Sequence, residues 1–451
     1  MTRIGSALLT AALLVGTAAA APSSAWAQAP LPTAKPEEVG MSAARLGRIT
    51  KWFKAEVDEK KLPGAVIAVA RQGKLVYYEA IGYRDAAKKA PMAKDSIFRI
   101  YSMTKPIVSV AAMMLVEDGR IQLTDPVAKF LPDFKDQMVS VAKADGSGYD
   151  MVKGDRAMTV QDLLRHTSGL AYGEITRNQP VKDAYKAGGM YKPGDIDFDA
   201  RAMTPAEQNA AVGKAPLAHQ PATQWEYSHS SDILGRVVEA ASKMRLADFV
   251  RERIAKPLKM ADTGFWVAKD KIGRVAQAFD KDPATGNANK LIDVSIVPKN
   301  DSGGAGGVGT AADYLRFSQM LLNGGTLDGA RLMSRTTVAL MTADHLGERI
   351  RQPLQPGELL IGTQGYGFGL GFAVRKQAGI AGVPGSTGEY MWAGYAGTFF
   401  WVDPTEHLAV VMMTQAPSPA RAFYRRQIKQ LVYQAIVDEP APGKQVSQTA
   451  N

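Results

Sequence analysis

Residues 98–119 of the 451-residue chain read FRIYSMTKPIVSVAAMMLVEDG. The run from 107 to 116 is almost wholly apolar, which predicts a helix buried on every side. Pro106 suits the first turn of that helix, where its missing N–H leaves no hydrogen bond unmade. Ser102 and Lys105 are therefore expected at the entry of a central helix, three residues apart and on one face.

The spacing of Ser102 and Lys105 suits a serine nucleophile with a lysine base. A serine hydroxyl needs a base to take its proton, and a lysine can serve only when burial or nearby charge lowers its pKa. The S-x-x-K pattern alone is weak, because it recurs at Ser140–Lys143 and because serine is also an ordinary helix cap. Ser140 leads into the Gly- and charge-rich residues 143–156, which predict a surface loop, so Ser102 is the stronger candidate.

Strand signals concentrate at the two ends of the chain. Residues 65–70 and 75–81 predict one β-hairpin, and residues 398–402 and 408–413 predict another. Strands at both ends with helices between them predict an α+β fold, in which one antiparallel sheet built from both termini is flanked by helices. A mostly helical lobe is expected as an insertion in the middle.

Helical periodicity completes this outline. Residues 42–57 space apolar side chains by three or four, with Ser42 as the expected cap. A terminal helix is expected to carry Phe423 and Ile428 on one apolar face. Ser231 precedes another periodic run and predicts a further helix start.

The expected domain organisation follows from these elements. Residues 28–437 are predicted to form one domain, with a sheet lobe over about 40–100 and 300–437 and a helical lobe over about 101–299. The Pro- and Gly-containing residues 438–451 predict a disordered tail.

The N-terminus is typical of a secretory signal peptide. Arg3 precedes an apolar run to Ala21, and Ala25-Trp26-Ala27 offers a cleavage site after Ala27. No later stretch approaches about 20 uninterrupted apolar residues, so no membrane span is predicted. The mature protein, from residue 28, is expected in the periplasm or the medium.

Composition excludes several classes of site. The chain has no cysteine, which rules out disulfides, thiolate metal sites and cysteine nucleophiles. Its five histidines show no H-x-x-x-H spacing, so no metal site is predicted. The net charge is +10, but no basic block with interleaved aromatic residues appears, and a nucleic-acid partner is not expected.

Several motifs together resemble the β-lactamase-related serine hydrolases, a group of class C β-lactamases, D-alanyl-D-alanine carboxypeptidases and esterases. The resemblance runs from about residue 46 to 437, and its landmarks occur in the family's order. They are FRIYSMTK (98–105), LTDPV (123–127), LLRHTSGL (163–170), Tyr227-Ser-His229, GGAGG (303–307) and Trp392-Ala-Gly394 before a strand.

The resemblance implies roles for individual residues. Ser102 would be acylated, with Lys105 as the proton acceptor. Tyr227 matches the tyrosine of the family's Y-x-N motif, which would share the base role and protonate the leaving group. The backbone N–H groups of Ser102 and Tyr395 would form the oxyanion hole. No metal or organic cofactor is implied.

Two departures from the family pattern bear on substrate. Trp392-Ala393-Gly394 stands in place of the family's K-T-G, so Trp392 replaces a lysine that helps to hold a substrate carboxylate. His229 replaces the Asn of Y-x-N, which would hydrogen-bond a substrate amide. Trp392, Gly394 and His229 are thus the expected substrate contacts, and both changes resemble the esterase branch.

The predicted partner is therefore a small-molecule ester or amide. Small or medium acyl esters are the first expectation, with a β-lactam or D-amino-acid peptide second and acyl transfer to another acceptor third. An α/β-hydrolase triad is disfavoured because the chain has no G-x-S-x-G, and His166 is expected to end a helix near the cleft. A non-catalytic sensor that keeps the fold remains the alternative from another class.

Overall fold

The computed structural model describes residues 30–190 and 200–437. The predicted signal peptide, residues 1–27, and the predicted tail, residues 438–451, lie outside the described residues. Within the described ranges, no helix is both long and apolar enough to cross a membrane.

The strands and helices follow one another along nearly the whole described chain. The strands are β1 (Gly64–Arg71), β2 (Lys74–Asp85), β3 (Ala90–Pro91), β4 (Phe98–Arg99), β5 (Met138–Ala142), β6 (Tyr149–Lys153), β7 (Val308–Gly309), β8 (Thr326–Leu327), β9 (Ala330–Arg331), β10 (Tyr366–Phe368), β11 (Ala373–Arg375), β12 (Tyr390–Ala393), β13 (Phe399–Asp403) and β14 (Leu408–Thr414). The helices are α1 (Ala43–Asp58), α2 (Thr104–Glu117), α3 (Val160–Leu164), α4 (Gln179–Ala187), α5 (Pro205–Lys214), α6 (Ser230–Ser242), α7 (Leu246–Val250), α8 (Ala311–Leu322), α9 (Arg335–Met341), α10 (Pro356–Ile361) and α11 (Arg421–Tyr433).

Eight strands form one antiparallel sheet in the order β10-β11-β12-β13-β14-β1-β2-β3. The two ends of the chain meet at its centre, where β1 pairs with β14 from Ala65 opposite Thr414 to Arg71 opposite Leu408. Both strands are buried along their whole length, because α8 packs on one part of the sheet while α1 and α11 pack together beside it. The predicted α+β fold with a sheet built from both termini is confirmed.

Helix α2 lies in the interior and is buried from Thr104 to Leu115, as its apolar sequence predicts. It packs mainly against α6 and α7. Ser102 lies just before α2, in a 3-10 turn at Tyr101–Met103, rather than in the helix itself. The reason is local, because Tyr101 has a φ of +44° and a right-handed helix cannot continue back through it.

Three local predictions need correction. Ser231 is not a cap, because α6 begins at Ser230 with His229 at the N-cap position. Residues 143–156 are not simply a loop, since β6 lies within them and pairs with the preceding strand β5. Phe423 does not share the buried face of α11 and is 46% exposed. That face instead buries Arg425 and Lys429 beside Tyr424 and Ile428, and apolar periodicity cannot register charged side chains whose partners lie elsewhere in the fold.

Candidate active site

Ser102 lies where the chain passes from β4 into α2. Tyr101 before it is left-handed, which is costly for a residue with a side chain and persists only where the surroundings enforce it. The Ile292 N–H donates to the Tyr101 hydroxyl at 3.0 Å, and the Thr104 hydroxyl donates to the Tyr101 carbonyl at 2.5 Å. These contacts fix the turn, and Ser102 forms part of the wall of a cleft.

The structure brings Ser102, Lys105 and Tyr227 into mutual contact. The Ser102 Oγ is 3.2 Å from Lys105 Nζ and 2.6 Å from the Tyr227 hydroxyl. Lys105 comes from the first turn of α2, whereas Tyr227 comes from the segment that enters α6. A hydroxyl held between an amine and a phenol is one of the arrangements by which a serine is activated.

The surroundings of Lys105 suit a neutral amine. Burial lowers the pKa of Lys105 to about 7, and the charge of Asp232 opposes the shift. A neutral amine has two N–H donors and one lone pair, and Nζ has three neighbours: the Gly304 carbonyl at 2.8 Å, the Tyr172 hydroxyl at 3.1 Å and Ser102. With its protons donated to Gly304 and Tyr172, the lone pair is left to accept the proton of Ser102.

Tyr227 has the complementary property. Burial raises the pKa of its phenol above the usual value, so the phenol stays protonated and donates to Ser102 Oγ. Its ring lies 5.2 Å from that of His166. His166 is buried, with Nδ1 3.2 Å from the Ser228 hydroxyl, and burial lowers its pKa well below the usual value. His166 therefore packs beside Tyr227 as a neutral ring.

The predicted oxyanion-hole and substrate residues divide into two groups. Trp392, Gly394 and Tyr395 line the cleft with Ser102. A Cβ on Gly394 would come within 2.4 Å of the Ile100 carbonyl, so only glycine allows this strand end to lie so close to the segment that precedes Ser102. His229 is not in the cleft lining.

His229 lies in the interior behind Tyr172. Its ring is 4.4 Å from the Tyr172 ring, and only 1% of the residue is exposed. His229 Nδ1 is 3.5 Å from Asp232 Oδ2, which is longer than an ordinary hydrogen bond. The position that holds a substrate-binding Asn in the Y-x-N motif is thus occupied here by a residue facing the interior.

The cleft itself is small and contains cationic groups that the sequence reasoning missed. Its volume is about 230 Å³, and Arg421 and Arg425 of α11 are part of its lining. Arg425 donates to the carbonyls of Gly394 at 2.6 Å and Leu360 at 2.9 Å, and burial lowers its pKa to about 9. The Arg421 guanidinium lies 5.4 Å from the centre of the Tyr395 ring.

A larger groove continues from this cleft. It has a volume of about 920 Å³, and Ile175, Tyr227 and Leu359 line both spaces. Val141, Ile175 and Leu354 expose large apolar surfaces along it. Tyr227, which contacts Ser102, therefore belongs to the walls of both spaces.

Three contributors to the site were not predicted from the sequence. Tyr172 follows the LLRHTSGL motif by two residues, and that position is the signal that could have found it. Asp232 follows the Y-x-H motif by three residues. Gly304 acts through its backbone carbonyl, which no side-chain motif reveals. Among the described residues, no group of three or more His, Cys, Asp or Glu is placed to hold a metal ion.

The chain is similar to known proteins in both sequence and fold. A family model described as Beta-lactamase matches residues 49–434. "Protein Rv1367c" of Mycobacterium tuberculosis is 34% identical over 79% of this chain and 87% of its own. "Esterase EstB" of Burkholderia gladioli is 32% identical over 85% of this chain and 93% of its own. The solved structure of "EstCE1, a hydrolase with promiscuous acyltransferase activity" has a TM-score of 0.68 at 26% identity, covering 87% of this chain and 98% of that one.

Proposed function

Because the chain belongs to the beta-lactamase family, we propose that it is a serine hydrolase that cleaves carboxylic esters through an acyl intermediate on Ser102. The observation that carries the proposal is the Ser102 hydroxyl, held 3.2 Å from a buried amine and 2.6 Å from a buried phenol. The esterase and hydrolase relatives support an ester as the substrate.

The proposed reaction has two steps. Ser102 Oγ bonds to the ester carbonyl carbon while its proton passes to Lys105, and the N–H groups of Ser102 and Tyr395 stabilise the oxyanion. The bond from that carbon to the alcohol oxygen then breaks. Tyr227 gives its proton to the departing alkoxide, and the proton on Lys105 restores the phenol. Water attacks the acyl-Ser102 ester in the same way, releasing the acid and the free serine.

The unequal cavities support a substrate of unequal halves. Tyr227, the proposed proton donor to the leaving group, lines both the 230 Å³ cleft and the 920 Å³ groove. Trp392 and Tyr395 line only the smaller cleft, so the acyl part of the ester is assigned to that cleft and the alcohol part to the larger groove. This arrangement favours small or medium acyl groups.

The test compares p-nitrophenyl esters of increasing acyl length with a chromogenic cephalosporin. We expect faster turnover of the short esters than of the cephalosporin, loss of turnover in Ser102→Ala, and retention in Ser140→Ala. Ser140 is the matched control because it heads the other S-x-x-K, lines the large groove but not the cleft that holds Ser102, and donates its hydroxyl to Asn178 at 2.9 Å. A folded native protein that turns over no ester and takes no label from an active-site phosphonate would support the non-catalytic sensor instead.

One observation favours a second candidate, the hydrolysis of a β-lactam or D-amino-acid peptide. Such substrates carry a carboxylate, and Arg421 supplies a cation in the cleft although Trp392 replaces the family's lysine. If this candidate holds, Arg421→Gln lowers cephalosporin turnover more than acetate-ester turnover. Equal effects on both substrates would count against this second candidate and leave the ester hydrolase as the proposed function.

The proposed enzyme is exported, on the strength of the predicted signal peptide. Sequencing of the N-terminus of the mature protein tests this, with residue 28 expected as the first residue. A cytoplasmic protein that retains Met1 would contradict export without affecting the proposed chemistry.

A further inference from the structure

Asp232 is a buried carboxylate that the proposed reaction does not use. It lies in the first turn of α6, is 1% exposed, and does not line the cleft around Ser102. A buried charge is costly unless other groups compensate it. The contacts that compensate Asp232 lead directly to Lys105.

Those contacts run through the glycine-rich loop at residues 302–307. Asp232 Oδ1 accepts a hydrogen bond from the Ser302 hydroxyl at 2.6 Å and another from the Gly304 N–H at 3.0 Å. The carbonyl of the same Gly304 accepts from Lys105 Nζ at 2.8 Å. One residue is therefore held by the carboxylate on its N–H side and holds the amine on its carbonyl side.

The glycine-rich loop packs closely against both Asp232 and the start of α2. A Cβ on residue 304 would lie 2.3 Å from Asp232 Oδ2, so only glycine allows the loop to lie against the carboxylate. At the far end of the loop, the Gly307 N–H donates to the Thr104 hydroxyl at 2.9 Å. The loop is thus tied to α6 at one end and to the start of α2 at the other.

We propose that Asp232 is a positioning residue for Lys105, which aims the Gly304 carbonyl at the amine and supplies the negative charge that balances it. The proposal rests on the proposed function, because it assigns Lys105 the role of base. Burial raises the pKa of Asp232, but its interactions with His229, Lys105 and Ser302 outweigh that effect and hold the pKa below the usual value. Asp232 is therefore ionised while Lys105 titrates.

Other titratable or charged groups also surround the pair. Those that face Asp232, Lys105 or His229, which lies beside Asp232, are His166, Tyr172, Tyr185, Tyr227 and Arg236. His166 is held neutral by burial, and a buried phenol titrates well above neutrality. Among these neighbouring groups, His229 needs a control variant of its own.

The test uses Asp232→Asn, which keeps an oxygen for Ser302 and Gly304 but removes the charge. The readout is the rate at which a p-nitrophenyl phosphonate labels Ser102 as pH varies, measured by release of p-nitrophenolate. A Ser102 Oγ–P bond forms, the P–O bond to nitrophenolate breaks, and the serine proton passes to Lys105. Because the charge of Asp232 favours protonated Lys105, its removal should move the acidic limb of the profile down by about 1 pH unit.

Two matched variants isolate the charge. Ser302→Ala removes a hydrogen bond to Asp232 but keeps the charge, and His229→Asn restores the asparagine of the Y-x-N motif. Both should leave the acidic limb at its native pH. A limb that stays in place in Asp232→Asn, or that moves in His229→Asn instead, would overturn the proposal.

A second variant covers the case in which Asp232→Asn does not fold. Asp232→Glu keeps the charge but is longer by one methylene, so it should displace Gly304 and slow labelling at least tenfold while the limb stays in place. Native labelling rates in that variant would overturn the proposal. Labelling needs no ester, so native protein that is labelled yet hydrolyses no ester would count against the substrate and leave the role of Asp232 open to measurement.

Discussion

Lys105→Met is the substitution that tests the site most directly. Methionine nearly matches lysine in volume and keeps the apolar contacts of a residue that is 1% exposed, but it has no amine to accept the Ser102 proton across 3.2 Å. Loss of a positioned general base costs about 10²- to 10⁴-fold in rate. We expect kcat for p-nitrophenyl acetate to fall within that range.

The pH dependence of kcat/KM gives a more specific prediction than the loss of rate. The pKa of Lys105 is lowered from 10.5 to about 7 by burial, so about half of the molecules carry the neutral amine at pH 7, compared with about one in 3,000 for an ordinary lysine. Native kcat/KM should therefore rise about tenfold per pH unit up to pH 7 and level off above it. The assay follows nitrophenol at its isosbestic wavelength, so that the product's own ionisation does not distort the profile.

The residual activity of Lys105→Met decides the assignment. That activity should lack the limb near pH 7, because the group that produces it is gone. A limb that persists unchanged in the variant, or native activity that does not decline below pH 7, would refute the role of Lys105 as base. Ser140→Ala serves as the control and should keep the native profile.

The same substitution should change the pH dependence of stability. An unfolded lysine binds its proton up to about pH 10.5, whereas folded Lys105 releases it near pH 7, so between these values the unfolded state holds more protons. The free energy of unfolding therefore increases as pH rises from 7 towards 10.5. Below pH 7 the buried amine is protonated, and its full destabilising effect is present. Urea unfolding should show a smaller gain for Lys105→Met over that interval, and equal gains in both proteins would contradict burial of a neutral amine.

Three further predictions concern residues around the site and in the sheet. Tyr227→Phe should lower kcat for an alkyl ester about 10²- to 10⁴-fold, because the donor to the leaving alkoxide is lost, and stopped-flow assays should show that acylation and deacylation both slow. Trp392→Lys should reduce soluble yield and lower Tm without creating cephalosporin turnover, because an amine would replace an indole that is 1% exposed. Glu389→Gln should cost about 3–5 kcal/mol in urea unfolding, because Lys429, 2.7 Å away and equally buried, loses its counter-charge; activity per folded molecule should not change.

The fold could be predicted well because its main signals are local. Alternating or continuous apolar runs mark the two hairpins, and Ser42 caps α1 as expected, accepting from the Arg45 N–H. The predictions failed where contacts between residues distant in sequence decide burial. Phe423 is apolar yet exposed, while Arg425 and Lys429 of the same helix are buried, because they hydrogen-bond to Gly394 and Glu389. Partners so far away in sequence cannot be found from the periodicity of one helix.

The site residues likewise divide into those close together in sequence, which could be predicted, and those far apart, which could not. The spacing of Ser102 and Lys105 is visible in the sequence, since both residues lie within one turn of chain. Tyr227 could be named only through the resemblance to a family, because 125 residues separate it from Ser102. The link from Asp232 to Lys105 could not be foreseen at all, because it passes through the backbone of Gly304 and depends on how the loop packs between two helices.

Trp392 illustrates why a single changed motif residue does not settle specificity. The absence of a lysine at this position suggested a site without positive charge. The structure instead places Arg421 in the same cleft, on α11 and beside Tyr395, so the cleft has a positive charge that comes from another element of the fold. We expect discrimination for or against a substrate carboxylate to come from Arg421, because Arg425 of the same cleft donates to the carbonyls of Gly394 and Leu360. Restoring a lysine at 392 should add little to it. Comparing a neutral acetate ester with an otherwise matched ester that carries a carboxylate, in native protein and in Arg421→Gln, measures this directly: a preference for the carboxylate that vanishes in the variant assigns the selectivity to Arg421.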